Sequence, residues 1–212
     1  MRCTRSRSRY AVIRIASGTI RAPITKHNRR RRCRRTNSLM VTSELVRWPD
    51  FGIQETRMKL SDIILADAII PQLQATERND AIAEAVAALA ACGVIPKSRI
   101  AETVDAVIER EDQATTGIGK GVALPHAKLK CVKHPVATIA RSGEGIDFSA
   151  LDSKPVYSMI LLLSSPDRPD EHLQAMETIF KHIQREIFRK FLRQAETTEA
   201  IVDLIGEADQ IA

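Results

Sequence analysis

Apolar residues recur every three or four positions in the C-terminal part of the chain, which is typical of helices with one buried face. The longest such segments follow Asn79, Ser98 and Asp170. In the third segment, Leu173 and Met176 are in phase with the apolar positions that follow them. Shorter segments predict further helices at residues 63–66, capped by Ser61, and at residues 187–192 and 198–205.

Two continuous apolar runs, at residues 136–140 and 156–163, predict β-strands because they are short and lack the helical period. The second run is apolar at almost every position, which favours a central strand covered on both faces. Helices before and after these strands predict a layered α/β fold. No stretch approaches the roughly 20 apolar residues that would span a bilayer, so the sequence predicts no membrane span.

The first 40 residues differ in charge from the rest of the chain. They contain twelve Arg and Lys26 without any Asp or Glu, a net charge of +13, whereas residues 41–212 have a net charge of −7. The net charge of +6 for the whole chain therefore hides an acidic domain. We expect residues 1–57 to be a basic, disordered leader, or an over-extended start, and residues 58–212 to form the domain.

The arginine-rich leader leaves several functions open. The arginine run at residues 29–35 suits phosphate groups, so a nucleic-acid-binding module is an alternative function, although Tyr10 alone among the first 40 residues offers base stacking. The Arg-rich, acid-free composition also fits a transit peptide. The four cysteines are scattered without any C-x-x-C pair, which suits reduced thiols in the cytoplasm.

Three of the nine glycines lie within five residues, in the segment TTGIGKG at residues 115–121. Such a segment leaves backbone N–H groups free to face an anion, and its threonine hydroxyls add donors. It does not match a nucleotide motif, since Val122 stands where G-x-G-x-x-G needs a glycine and no Ser or Thr follows Lys120. A mobile loop without a ligand is the alternative. The candidate phosphate-binding residues are Thr115, Thr116, Gly117, Gly119 and Gly121.

Two histidines are candidates for chemistry. His126 lies five residues after the last glycine of the segment, and neutral imidazole is a good phosphoryl acceptor near pH 7. His172 lies at the start of a predicted helix, where free N–H groups favour phosphate. The alternatives are a structural histidine at a strand end for His126 and a solvated first-turn residue for His172. His126, Cys131 and His134 are spaced only loosely like metal ligands, so we expect neither a metal nor a cofactor.

The segment TTGIGKGVALPHAK at residues 115–128 resembles the signature of the enzyme IIA domain of the bacterial phosphoenolpyruvate:sugar phosphotransferase system. The resemblance is to the fructose/mannitol class, which includes the nitrogen-regulatory type. The segments MKLSD at residues 58–62 and GIDF at 145–148 resemble the same family, as does the pair of residues 172–173. The resemblance extends from about Met58 to the C-terminus, with Ala127 where many members have glycine.

This resemblance implies an α/β sandwich whose mixed central sheet has helices on both sides. It implies that His126 accepts a phosphoryl group from phospho-HPr or its nitrogen-type paralogue, that His172 lies beside it, and that Arg110 lies near the site. The expected protein is a cytoplasmic phosphohistidine carrier of the nitrogen-regulatory type, which acts on regulatory protein targets. The alternatives are a sugar-transport IIA component that passes phosphate to enzyme IIB, and a regulator that does not itself carry phosphate.

Overall fold

The computed structural model of the protein describes residues 10–15, 18–23 and 58–211. The chain divides into two compact units, Met1–Gly52 and Ile53–Ala212. In the first unit, strands β1 (Tyr10–Ile15) and β2 (Gly18–Pro23) pair antiparallel. The rest of the predicted leader, including its arginine run, lies outside the described residues, so the disorder predicted for it stays a prediction.

Six α-helices and two short 3₁₀ turns lie between residues 58 and 211. None of the described helices is long and apolar enough to cross a membrane. The 3₁₀ turns are Ala66–Ala68 and Lys97–Arg99. The helices are α1 (Leu60–Ile63), α2 (Arg78–Ala91), α3 (Ile100–Gln113), α4 (Pro169–Ile183), α5 (Glu186–Gln194) and α6 (Thr198–Gln210).

The domain contains a mixed five-stranded sheet, and the strand that comes last in the sequence lies at its centre. Its strands are β3 (Gly117–Gly119), β4 (Val122–Ala123), β5 (His126–Lys128), β6 (Val136–Ile146) and β7 (Val156–Ser164). Strand β6 runs antiparallel along one edge of β7, while β4 and β5 pair in parallel with two successive stretches of the other edge. Strand β3 pairs antiparallel with β4. The predicted mixed sheet is confirmed.

Strand β7 is buried on both faces, as its continuous apolar run predicts. Met159 and Leu161 point into a core formed with α2 and α3. Ile160 and Leu162 point to the other face, into a core formed with α1, α4, α5 and α6. Successive side chains of a strand alternate between faces, so one strand joins two helical layers. The prediction of an α/β fold with helices on both sides of the sheet is confirmed.

The first helix lies earlier in the chain than the predicted range 63–66, since α1 ends at Ile63 and the next two residues are extended. Helix α1 begins at Leu60, so Ser61 lies within the helix and is not its cap. The carboxylate of Asp62 accepts a hydrogen bond from the backbone N–H of Lys59 at 2.9 Å. The carboxylate of Asp209, in α6, accepts from the N–H groups of Leu60 and Ser61 at 2.8 and 3.0 Å. Two aspartates, one of them distant in sequence, therefore satisfy the free donors of this helix end.

Candidate active site

Two histidines meet near the C-terminal end of β7. His126 begins β5 and pairs with Leu162 of β7. Alternation along this chain segment places the His126 side chain on the same face as Leu124, which is the face that α4 covers. His172 lies in the first turn of α4. The centroids of the two imidazole rings are 5.7 Å apart, and the ring planes are inclined by 46°.

His126 is held in one tautomer by the backbone. Its Nδ1 lies 3.0 Å from the carbonyl oxygen of Leu124. A carbonyl oxygen only accepts hydrogen bonds, so Nδ1 has the proton and the lone pair of Nε2 is free. Burial lowers the pKa of His126 below its usual 6.5; the cations of Arg110 and Lys128 also lower it, and Glu111 and the Leu124 carbonyl oppose them. The ring is therefore neutral at pH 7.

His172 is buried, with 6% of its surface exposed. Its Nδ1 lies 2.9 Å from Oγ of Ser164, a fully buried residue at the end of β7. Burial lowers the pKa of His172, and the charges of Lys128 and His126 lower it further. The alternative of a solvated first-turn histidine is therefore wrong.

The predicted phase of α4 is also wrong at its start. Leu173, which the apolar pattern placed on the buried face, is 64% exposed, while His172 and Ala175 are buried. The Ser164 hydroxyl gives the buried imidazole a hydrogen-bond partner, which offsets the cost of burying a polar ring. A polar residue thus occupies a core-facing position that an apolar pattern does not reveal.

The glycine segment forms a tight hairpin and not an open loop. Strands β3 and β4 pair antiparallel. Lys120 and Gly121 adopt positive φ angles of 58° and 79° in the turn between the strands. The backbone N–H of Lys120 donates to Oδ2 of Asp152 at 2.8 Å. A side chain from a distant loop therefore uses one of the amides that were expected to face an anion.

Two more amides of the hairpin donate within the protein. The backbone N–H of Thr116 donates to Oε1 of Glu111 at 2.7 Å, and its hydroxyl donates to Oε2 of the same buried carboxylate. The N–H of Gly117 donates to Oγ1 of Thr115 at 3.2 Å. Three amides of this segment therefore donate within the protein, to side chains of Glu111, Thr115 and Asp152. The assignment of the segment to phosphate binding stays a prediction.

Arg110 lies in the last turn of α3, and its Nη1 donates to the carbonyl oxygen of Ala114 at 3.0 Å. Its positive charge is close enough to His126 to lower the pKa of that imidazole.

His134 is one of the three residues whose spacing loosely resembles that of metal ligands. Its Nδ1 lies 3.3 Å from Oε2 of Glu171. Within the described part of the chain, no three His, Cys, Asp or Glu side chains are grouped so that they could hold a metal ion.

A neutral histidine with one free nitrogen, a second histidine beside it and two nearby cations suit the transfer of an anionic group. The sequence model of the family "Phosphoenolpyruvate-dependent sugar phosphotransferase system, EIIA 2" matches residues 62–208. The chain belongs to this family. The resemblance drawn from the glycine and histidine segment is confirmed, and this EIIA domain has a role in phosphotransfer.

Relatives of the EIIA domain include both sugar-specific components and nitrogen regulatory proteins. It is 31% identical over 153 residues to the fructose-specific EIIABC component of Bacillus subtilis, a match that covers 72% of this chain and 24% of that protein. The chain thus spans about a quarter of that relative. It is 29% identical over 149 residues to a nitrogen regulatory protein of Bradyrhizobium diazoefficiens, which covers 70% of this chain and 95% of the relative.

The fold of the EIIA domain also matches solved structures. One neighbour is enzyme IIA-mannitol of Escherichia coli, solved in a complex with phosphorylated enzyme IIB-mannitol. The TM-score is 0.58 and the sequence identity 19%, and the match covers 68% of this chain and 99% of that one. At this identity the likeness establishes the shared fold, so the roles of individual residues rest on the geometry of this chain.

Proposed function

We propose that this EIIA domain is a phosphohistidine carrier whose acceptor atom is Nε2 of His126. The observation that supports this assignment is the hydrogen bond between Nδ1 and the carbonyl oxygen of Leu124. It fixes the proton on one nitrogen and leaves the other as the nucleophile. The lowered pKa keeps the ring in its neutral, nucleophilic form at pH 7.

The proposed transfer needs no proton acceptor. The lone pair of Nε2 forms the new N–P bond while the N–P bond of the donor phosphohistidine breaks. The electron pair of the broken bond returns to the donor ring, which is protonated on its other nitrogen and so leaves as a neutral imidazole. The His126 ring gains positive charge as the bond forms. The Leu124 carbonyl stabilises that charge through the Nδ1–H bond, which persists throughout.

His172 is the proposed donor to the transferred group. Negative charge is spread over the equatorial phosphoryl oxygens in a loose transition state, so a nearby N–H group stabilises it. We assign the shared proton of the Ser164–His172 hydrogen bond to the serine hydroxyl, which donates to Nδ1. The imidazole proton then stays on Nε2, where it serves a phosphoryl oxygen. Arg110 contributes positive charge from the end of α3.

The proposed phosphoryl donor is phospho-HPr or its nitrogen-type paralogue, and the proposed location is the cytoplasm. The match to 95% of the Bradyrhizobium nitrogen regulatory protein supports a regulatory EIIA that acts on protein targets. The match to the fructose-specific EIIABC component supports the second candidate, transfer to an enzyme IIB. Incubation of the labelled domain with a fructose-type enzyme IIB separates them, because rapid transfer of label is expected only of the transport component.

The experiment that tests the carrier assignment is phosphorylation of the purified protein with phosphoenolpyruvate, enzyme I and HPr. We expect label that is stable in alkali and labile in acid, as a phosphoramidate bond requires. His126→Ala should lose the label completely. His134→Ala is the matched control, since its exposed side chain bonds to Glu171 outside the site and its removal should leave labelling unchanged. Full labelling of folded His126→Ala would contradict the proposal.

A further inference from the structure

A second polar site lies on this EIIA domain, in a cleft of about 610 Å³ between the glycine hairpin, strand β6 and helix α5. We call it the basic cleft. Residues 58–211 contain 17 Lys and Arg against 23 Asp and Glu, so the domain as a whole is acidic. Its cleft nevertheless has five cations and only two carboxylates along its walls. The cations are Lys120, Arg141, Arg189, Lys190 and Arg193.

The basic cleft is separate from the histidine site. Arg141 of β6 pairs with Ser158 near the N-terminal end of β7, whereas His126 pairs with Leu162. Four residues along a strand correspond to about 13 Å. A small anion in the cleft therefore does not contact the imidazole of His126, and the two sites can be tested independently.

The floor of the basic cleft contains a buried positive charge with little negative charge near it. Arg141 is 7% exposed, and its guanidinium donates to three neutral acceptors. These are the carbonyl oxygens of Arg193 at 2.7 Å and Pro71 at 3.2 Å, and Oε1 of Gln72 at 3.1 Å. Its one carboxylate partner among the described residues is Glu196, at 3.8 Å on a side chain that is 82% exposed. A buried charge is costly unless an opposite charge accompanies it, so the cleft favours an anion.

Two further arginines are already held in place. Nη1 of Arg189 donates to the carbonyl oxygens of Ile183 and Gln184 at 2.6 and 2.7 Å. The guanidinium carbon of Arg193 lies 3.4 Å from the centroid of the Tyr157 ring. Among residues 58–211, neither guanidinium has a carboxylate oxygen within 4.0 Å. Side chains ordered in advance lose less entropy when they bind a ligand.

We propose that the basic cleft binds a small molecule that has several phosphate groups. Its volume is in the range of small-molecule sites, about 300–1,000 Å³. Guanidinium groups match phosphate oxygens with paired donors, and the two lysines supply additional positive charge. The proposal concerns a ligand site distinct from the acceptor histidine and does not rest on phosphate transfer by His126.

The test is titration of the ¹⁵N-labelled full-length protein with inorganic tripolyphosphate, followed by chemical shifts in NMR spectra. Shifts at α5 and around Arg141 in β6 report the basic cleft, whereas shifts in residues 1–57 report binding to the arginine-rich leader. We expect saturable changes at α5 and around Arg141. The variant Lys190→Gln/Arg193→Gln removes two exposed cleft cations and should weaken binding about tenfold or more.

The matched control is Lys59→Gln/Lys97→Gln, which removes two exposed lysines outside the cleft and should bind as the unmodified protein does. His126→Ala should also bind normally. Shifts confined to residues 1–57, an equal loss in both double variants, or loss of binding in His126→Ala would each overturn the proposal. Binding of a long nucleic acid in the cleft with no response to tripolyphosphate would overturn it too, since the occupant would then be a macromolecule.

Discussion

Polar side chains near the two ends of β7 differ in charge and in how their neighbours bond them. At the C-terminal end, His126 and His172 each have one nitrogen bonded by a neighbour, and burial lowers the pKa of both rings. At the other end, Arg141 stays charged, and neutral acceptors hold its donors in place. The first arrangement leaves a nitrogen open for bond formation, while the second fixes a charge permanently. The contrast separates a site for chemistry from a site for binding.

The largest effect that we predict is on stability, at the arginine end. Arg141→Met removes the donors of three acceptors, which should lower the free energy of unfolding by about 3 kcal/mol. Denaturant unfolding measures this change. The control is Arg78→Met, which breaks a partly exposed ion pair with Asp112 that is worth about 0–1 kcal/mol. Equal losses in the two variants would show that the buried guanidinium is not important for the fold.

At the histidine end, the informative effect is on the rate of phosphorylation. His172→Ala removes the proposed donor to the phosphoryl oxygens and should slow phosphorylation of His126 by about 10²-fold. Rapid-quench labelling from phospho-HPr measures the rate. His172→Gln is the conservative partner, because its amide N–H can occupy the position of the imidazole Nε2–H and restore part of the rate. If His172 only fills space, the two variants should be equally slow or equally fast.

The sequence predicts the buried central strand better than it predicts the long-range hydrogen bonds around it. The unbroken apolar run of β7 indicates a strand covered on both faces, and a run of that kind depends on local residues alone. The use of the hairpin amides depends on Asp152, which is 32 residues from Lys120. The inward position of His172 depends on the hydroxyl of Ser164. Such long-range hydrogen bonds leave no periodic signal, and neither does the cleft, whose cations come from three separate segments.

A smaller kinetic effect should follow from the partner of His172. Ser164→Ala removes the hydroxyl bonded to Nδ1 and should slow phosphorylation about fivefold, since a single hydrogen bond contributes about 1 kcal/mol. The ¹⁵N shifts of His172 should show a mixture of tautomers in place of one. Ser158→Ala is the matched control, because that serine is equally buried in β7 but lies near the arginine end. An unchanged tautomer in Ser164→Ala would contradict the positioning role.

The smallest predicted effect is the shift of the histidine titrations. Burial lowers the pKa of His126 and of His172, so both rings should titrate below 6.5 in the folded protein. Between the folded pKa and about 6.5 the unfolded chain binds more protons, so stability should decrease as the pH falls through this interval. Because the neutral ring is the proposed nucleophile, the phosphorylation rate should decline at a lower pH than it would for a histidine with the usual pKa of 6.5. NMR titration of the Cε1–H signals, with the urea-unfolded protein as reference, tests this; a folded pKa at or above 6.5 for His126 would contradict the burial argument.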